Sequence, residues 1–298
     1  MERGQYPAVG DWVLTKAPEQ GSELSIARVL PRKSGFSRKV AGERTEEQVV
    51  AANVDTVWLV TALDRDYRAS RVERYLTLAW ESGAQPVVVL TKIDLIDEPE
   101  RYSAEVERIA LGVPVQGVSA VAGRGVDELE RYFANHATVA LIGSSGVGKS
   151  TLINRLLGVD LQPTQSVRGD GKGRHTTVHR QLLQRPSGGL IIDTPGMREL
   201  QLWDTATGVE ETFTEIEHWA SHCRFTDCSH QSEPGCAVQE AVQRGELPAE
   251  RLASYQKLQR ELAHLERKQD ALAQREEKQR IKVMMKSMRN HHPKYKRQ

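Results

Sequence analysis

The sequence predicts a multidomain chain: a small N-terminal β-barrel, a central α/β domain on a parallel sheet, and a mainly helical C-terminal module. Three observations carry this expectation. Short β-like runs without helical period fill residues 1–49. Continuous apolar runs of strand length alternate with helical segments over 50–205, the pattern of a parallel sheet covered on both faces. Over 206–298 the chain turns polar, with a Cys cluster and then a long helix-forming stretch. The chain has 298 residues, 39% hydrophobic and 27% charged, enough to bury at least one substantial core. A formal net charge of +1 favours no class of partner by itself. No run approaches the roughly 18–20 apolar residues that span a bilayer, and no apolar leader opens the chain. A cytoplasmic protein without membrane contact is therefore expected.

The N-terminal runs are Asp11–Leu14, Leu24–Leu30 and Glu47–Ala52, separated by Gly and charged residues. Between the second and third lies Arg32-Lys33-Ser34-Gly35-Phe36-Ser37-Arg38-Lys39. It reads either as a basic loop with one aromatic, suited to phosphate and base contacts, or as a solvated hairpin tip.

The central strands are expected at Thr56–Val60, Pro86–Leu90, Val113–Val115, Val139–Ile142 and Leu190–Ile192, with helical segments such as Arg71–Glu81 and Val126–Phe133 between them. Motifs follow the strands, where open α/β sheets bind ligands. After the fourth comes Gly143-Ser144-Ser145-Gly146-Val147-Gly148-Lys149-Ser150, which fits G-x-x-x-x-G-K-[ST], and Thr151 continues into a helix. That strand–loop–helix context is what a phosphate-cradling loop requires. Glycines aim backbone N–H groups inward, and the helix N-terminus adds partial positive charge. Lys149 is expected to bridge the β- and γ-phosphates and serve the chemistry, and Ser150 to ligate Mg²⁺. After the fifth strand, Asp193-Thr194-Pro195-Gly196 offers an acid for Mg²⁺ and a backbone N–H, at Gly196, for the γ-phosphate. Between these lies a glycine-dense loop, Arg168–Thr177. A Thr there can complete the Mg²⁺ shell when a nucleoside triphosphate is bound; Thr177 is the first choice and Thr176 the second.

Thr91-Lys92-Ile93-Asp94 follows the second central strand. The Asp94 carboxylate can accept from guanine N1–H and the exocyclic amine, a donor pair that adenine lacks. The Lys92 stem can pack along the base. Ser119-Ala120 can present a backbone N–H to guanine O6. Such a reader more often begins with Asn, and Thr91 cannot supply the same amide contacts, so weaker nucleotide affinity is expected. The order of motifs is base reader, Ser-Ala, phosphate loop, mobile loop, Asp-Thr-Pro-Gly. That is a circular permutation of the usual order, tolerated when termini lie close together. The segment after Gly196 then runs straight into the C-terminal module, which predicts that nucleotide state moves that module.

All three Cys lie between Cys223 and Cys236, in the pattern C-x4-C-x-H-x5-C formed by Cys223, Cys228, His230 and Cys236. Three thiolates and an imidazole suit tetrahedral structural zinc. His218 and His222 compete for the fourth position; His230 is favoured because it lies inside the Cys frame. From Pro248 to about Lys286 the sequence reads as one helix, with a stripe at Leu252, Tyr255, Leu258, Leu262 and Leu265. After Glu277 come eight Lys or Arg and no acid, either a tail that can dock on RNA phosphates or a solvated helix end with a disordered tail.

Together these residues resemble the ribosome small subunit-dependent GTPase A family over nearly the whole chain. The resemblance implies an OB-fold (1–49), a circularly permuted P-loop GTPase domain (50–205) and a zinc-binding helical module with a basic tail (206–298). It implies GTP hydrolysis late in small-subunit assembly, stimulated by that subunit, and OB-fold contact with ribosomal RNA. The position after Gly196 is Met197, where many GTPases carry a water-orienting Gln, so slow intrinsic turnover is expected. The resemblance offers His175 as the water-orienting residue instead. The competing reading is a GTP-gated RNA-binding module whose hydrolysis is incidental. A monomer with one structural Zn, and Mg with its nucleotide, is the simplest expectation.

Overall fold

The computed structural model describes residues 6–16, 24–39, 47–64, 67–159, 181–193, 206–267 and 282. Near the N-terminus, β1 (Val13–Lys16) pairs antiparallel with β2 (Ser25–Val29), and β3 (Gly35–Lys39) with β4 (Glu47–Ala52). The two ribbons meet where Ala52 N–H donates to Val9 O at 2.9 Å and Asn53 Nδ2 to Gly10 O at 2.9 Å.

The run read as a possible basic loop differs from that expectation. Gly35–Lys39 is strand β3, and Phe36 is 2% exposed within the core. Arg32 donates to both Asp11 carboxylate oxygens at 2.7 Å, and Lys33 pairs with Asp55. One aromatic among cations looks the same in a sequence whether the ring stacks outward or anchors a strand. The exposed aromatic side chains of this unit, among the described residues, are Tyr6 and Trp12.

The central sheet contains β5 (Thr56–Ala62), β6 (Gln85–Thr91), β7 (Val115–Val118), β8 (Thr138–Ile142), β9 (Gln181–Gln184) and β10 (Leu190–Asp193), in the spatial order β7-β6-β5-β8-β10-β9. All neighbours are parallel except β9, which runs antiparallel to β10 at the edge. β9 is mostly exposed, so it lacks the apolar run that announces the other strands. Helix α1 (Ala69–Ser82) crosses from β5 to β6, α2 (Pro99–Ile109) precedes β7, and α3 (Lys149–Leu157) follows β8. The segment Val126–Phe133, expected as helix, falls largely within a 3-10 stretch, Asp127–His136, with non-helical backbone at Ala134 and Asn135.

One core fills each face of this sheet. On one, Trp58, Val60, Leu141 and Ile191 pack with Leu152 and Phe133. On the other, Leu59, Val88 and Ile142 join Val72 and Leu76 of α1, and the same cluster runs on into Phe36 and into the C-terminal module. Alternate residues of each strand supply opposite faces, so strands buried on both sides read as continuous apolar runs.

The C-terminal module comprises α4 (Ala206–Thr212), α5 (Thr214–Ala220), α6 (Ala237–Gln243) and α7 (249–267). α7 is the described part of the long expected helix, and Leu252, Tyr255, Leu258 and Leu262 are its buried stripe. The module sits on α1. A Cβ on Gly208 of α4 would come within 2.6 Å of Thr77 O, so only glycine permits this approach. Beside it, buried Arg251 of α7 donates to Glu73 of α1 at 2.9 Å, to Thr212 O at 2.6 Å and to Glu215.

Candidate nucleotide-binding site and metal centre

Chain direction places the site. From β5 the chain moves outward through β6 to β7, then returns to β8 on the other side of β5. Such a reversal opens a crevice at the carboxyl ends of the strands, where ligands of open α/β sheets bind. The phosphate loop follows β8 and the base reader follows β6, so they flank the end of β5.

The loop Gly143–Gly148 leads into α3 as its motif requires. A Cβ on Gly143 would lie 2.3 Å from Val60 O, so glycine lets the loop press against β5. Gly148 has φ +93°, a conformation that L side chains avoid. Lys149 Nζ donates to Gly143 O at 2.7 Å and Ser144 O at 2.8 Å, holding the ammonium over its own loop. Ser144, Ser145, Ser150 and Thr151 are half-buried, Gly146 is exposed, and Val147 is buried in the core. Asp193 ends β10, next to β8. Burial raises its carboxyl above the ordinary range, and the Lys149 ammonium draws it partly back. Ser150 and Asp193 thus have the chemistry to share Mg²⁺ with a nucleotide. His175, Thr176, Thr177 and Gly196 lie outside the described residues.

In the base reader, Asp94 is exposed, with no hydrogen-bond or ion-pair partner among the described residues, and Ile93 is buried beneath it. Ser119 is fully buried; its N–H donates to Arg124 O and its hydroxyl accepts from Ala122 N–H at 3.1 Å. That turn fixes the backbone at Ala120, where the carbonyl-recognising N–H is expected.

Thr91 is more than a missing Asn. Its buried hydroxyl donates to Val147 O at 2.6 Å, tying the base-reading strand to the phosphate loop. The reader's first position therefore braces the phosphate loop through its hydroxyl. Thr91→Val should leave that carbonyl unpaired and weaken GDP binding by about tenfold, from a loss of roughly 1–2 kcal/mol. Titration calorimetry against wild type checks this.

In the C-terminal module the donor atoms of Cys223, Cys228, His230 and Cys236 all lie within 4.8 Å of one another. His230 Nδ1 is 3.6 Å from Cys223 Sγ and from Cys236 Sγ, and those sulfurs are 3.9 Å apart. Sulfurs on tetrahedral zinc stand about 3.8 Å apart for bonds of about 2.3 Å, so the set fits that ion. His218 and His222 stand outside the set, their rings packed edge-on with centroids 5.1 Å apart. Burial and the neighbouring thiols push the Cys228 thiol up to about 11, so a cation is what would favour the thiolates. Burial lowers His230, favouring the neutral imidazole that ligates metal. His230 has φ +56°, and its carbonyl accepts from Gln239 at 2.6 Å and Gln256 at 2.8 Å. Helix α7 thereby supports the cluster, a contact invisible to local spacing.

A guanine-type reader after β6, then a strand-borne phosphate loop after β8, then an Asp ending β10, met in that order along the chain, define a circularly permuted P-loop GTPase. The sequence profile of the RsgA GTPase family matches residues 29–203, and one described as 50S ribosome-binding GTPase matches residues 138–275. The chain belongs to the RsgA GTPase family. It is 47% identical over 293 residues to the small ribosomal subunit biogenesis GTPase RsgA 1 of Oceanobacillus iheyensis, spanning 97% of this chain and 84% of that protein. Identity to the RsgA of Opitutus terrae is 50% over 297 residues, spanning 96% and 81%. Among solved structures, YjeQ from Thermotoga maritima superposes with a TM-score of 0.64 at 32% identity, covering 87% of this chain and 85% of that one. YloQ, described as a circularly permuted GTPase, gives 0.60 at 26% identity, covering 88% and 83%.

Proposed function

We propose that this GTPase binds the small ribosomal subunit and hydrolyses GTP during the subunit's late assembly, with turnover stimulated by the subunit. The observation that carries it is the pairing of phosphate loop and guanine reader about β5 in a chain so similar to proteins named for small-subunit biogenesis. In this reading residues 1–49 form an OB-fold that contacts ribosomal RNA, 50–205 the GTPase domain, and 206–298 a zinc-binding helical module with a basic tail. The protein acts as a cytoplasmic monomer. No helix among the described residues is long and apolar enough to cross a membrane.

Asp94 selects guanine, with Lys92 and Ile93 shaping the base slot and Ser119-Ala120 meeting O6. The loop from Gly143 to Gly148 cradles the phosphates, and Lys149 neutralises charge between β and γ. Ser150, Asp193 and Thr177 hold Mg²⁺, which supplies charge stabilisation at the phosphates when bound. Gly196 N–H meets the γ-phosphate, and His175 orients the attacking water in place of a Gln.

The test is steady-state GTP hydrolysis with and without purified small subunits, for wild type and His175→Ala. Strong stimulation that the variant loses while still binding GTP is the expected result. No stimulation of wild type overturns the ribosomal role; stimulation retained by the variant moves the chemistry away from His175.

The zinc assignment carries its own prediction. Atomic absorption should find one zinc per chain. Chelation should lower the thermal midpoint and helical content, because structural zinc in small modules contributes on the order of 10 kcal/mol. A folded, metal-free protein of unchanged midpoint would remove zinc from the account.

A further inference from the structure

Lys92 stands in a left-handed backbone conformation, φ +62°, which a non-glycine residue keeps only where its surroundings hold it. Part of the hold is local: its carbonyl accepts from Leu95 N–H at 3.0 Å. The rest comes from another strand. Lys92 Nζ donates to Asp64 Oδ2 at 2.9 Å. Asp64 lies two residues past the end of β5 and Lys92 one past the end of β6, and these strands are paired in parallel with Ala62 opposite Thr91. Leu63 N–H, donating to Thr91 O at 3.1 Å, carries that pairing one step further. The acid and the amine are therefore delivered side by side to the crevice by sheet register. Both side chains are partly exposed, at 34% and 23%.

We propose that Asp64 is a positioning residue for base recognition. It anchors the Lys92 ammonium to the end of β5 and so lays the aliphatic stem along the face of a guanine base held by Asp94. Without that anchor the long side chain samples many rotamers, and ordering it must be repaid each time a nucleotide binds. This inference rests on the guanine-reading assignment of the site. Because the pair is partly exposed, its effect is modest, about three- to fivefold in affinity.

The experiment measures GDP and GTP binding by stopped-flow and calorimetry for wild type, Asp64→Asn, Asp64→Glu, Lys92→Met and the Asp64→Asn/Lys92→Met pair. Asp64→Asn should weaken GDP and GTP by the same factor, through faster dissociation. Asp64→Glu should recover most of the loss. The ratio of GDP to IDP affinity should stay at the wild-type value, because the 2-amino group is read by Asp94. Added to Lys92→Met, Asp64→Asn should cost nothing further. Wild-type affinity in Asp64→Asn, or a loss that adds in full to that of Lys92→Met, overturns the proposal. A wild type that fails to bind guanine nucleotides overturns the site reading itself.

Discussion

Asp94→Asn should lower GDP affinity roughly a hundredfold or more and raise affinity for xanthosine diphosphate. The carboxylate is exposed in the crevice, without a partner among the described residues, so its acceptor capacity is available to a base. Guanine presents two donors, N1–H and the 2-amino group, to that acceptor. An Asn keeps one acceptor and turns the other position into a donor, leaving the 2-amino group facing an N–H. Xanthine carries a carbonyl at that carbon and completes the exchanged pair. The fold should be undisturbed, since the side chain touches none of the core. Competition of GDP, XDP and ADP for a fluorescent nucleotide checks the prediction; unchanged GDP affinity would show that Asp94 does not read the base.

Arg251→Met should destabilise the protein by about 3–5 kcal/mol, the range for breaking a buried ion pair on one side. Arg251 is 4% exposed and Glu73 2%. Arg251 also covers the Phe213 ring at 4.4 Å from its centroid. Removing the guanidinium strands the Glu73 carboxylate, one of whose oxygens already lacks a partner. Replacing both residues, Glu73→Leu with Arg251→Met, should recover part of the loss, because the most deeply buried charge is gone while Glu215, 27% exposed, still loses its partner. Denaturant melts of the two variants distinguish a buried-charge penalty from lost packing. If the double variant is as unstable as the single one, packing dominates.

This network also bears on how the C-terminal module can move. The sequence suggests motion transmitted through the link after Gly196, which lies outside the described residues. What the described residues hold is a firm attachment elsewhere: α4 and α7 are bonded to α1, whose Tyr75 hydroxyl lies 3.4 Å from Ser144 Oγ in the phosphate loop. Through α1 the module is thus connected to the phosphate loop.

The sequence by itself determined what short segments can state. A phosphate loop is one continuous stretch whose glycines, Lys149 and Ser150 act through their own backbone and side chains. Strands buried on both faces announce themselves as apolar runs, and the candidate metal ligands fall within fourteen residues, Cys223 to Cys236. Their order along the chain sufficed to expose the permutation. Tertiary structure alone decided which polar residues meet. Thr91 and Val147 are 56 positions apart, and Arg251 and Glu73 are 178 apart. Asp64 reaches Lys92 only because β5 and β6 lie in register. Phe36 among cations was legible as an aromatic but not as a core residue, since burial depends on what packs from elsewhere. The physical reason is common to these cases. Periodicity and motif spacing record interactions within a few residues, whereas register, burial and the pairing of distant charges exist only once the sheet and its covering helices have assembled.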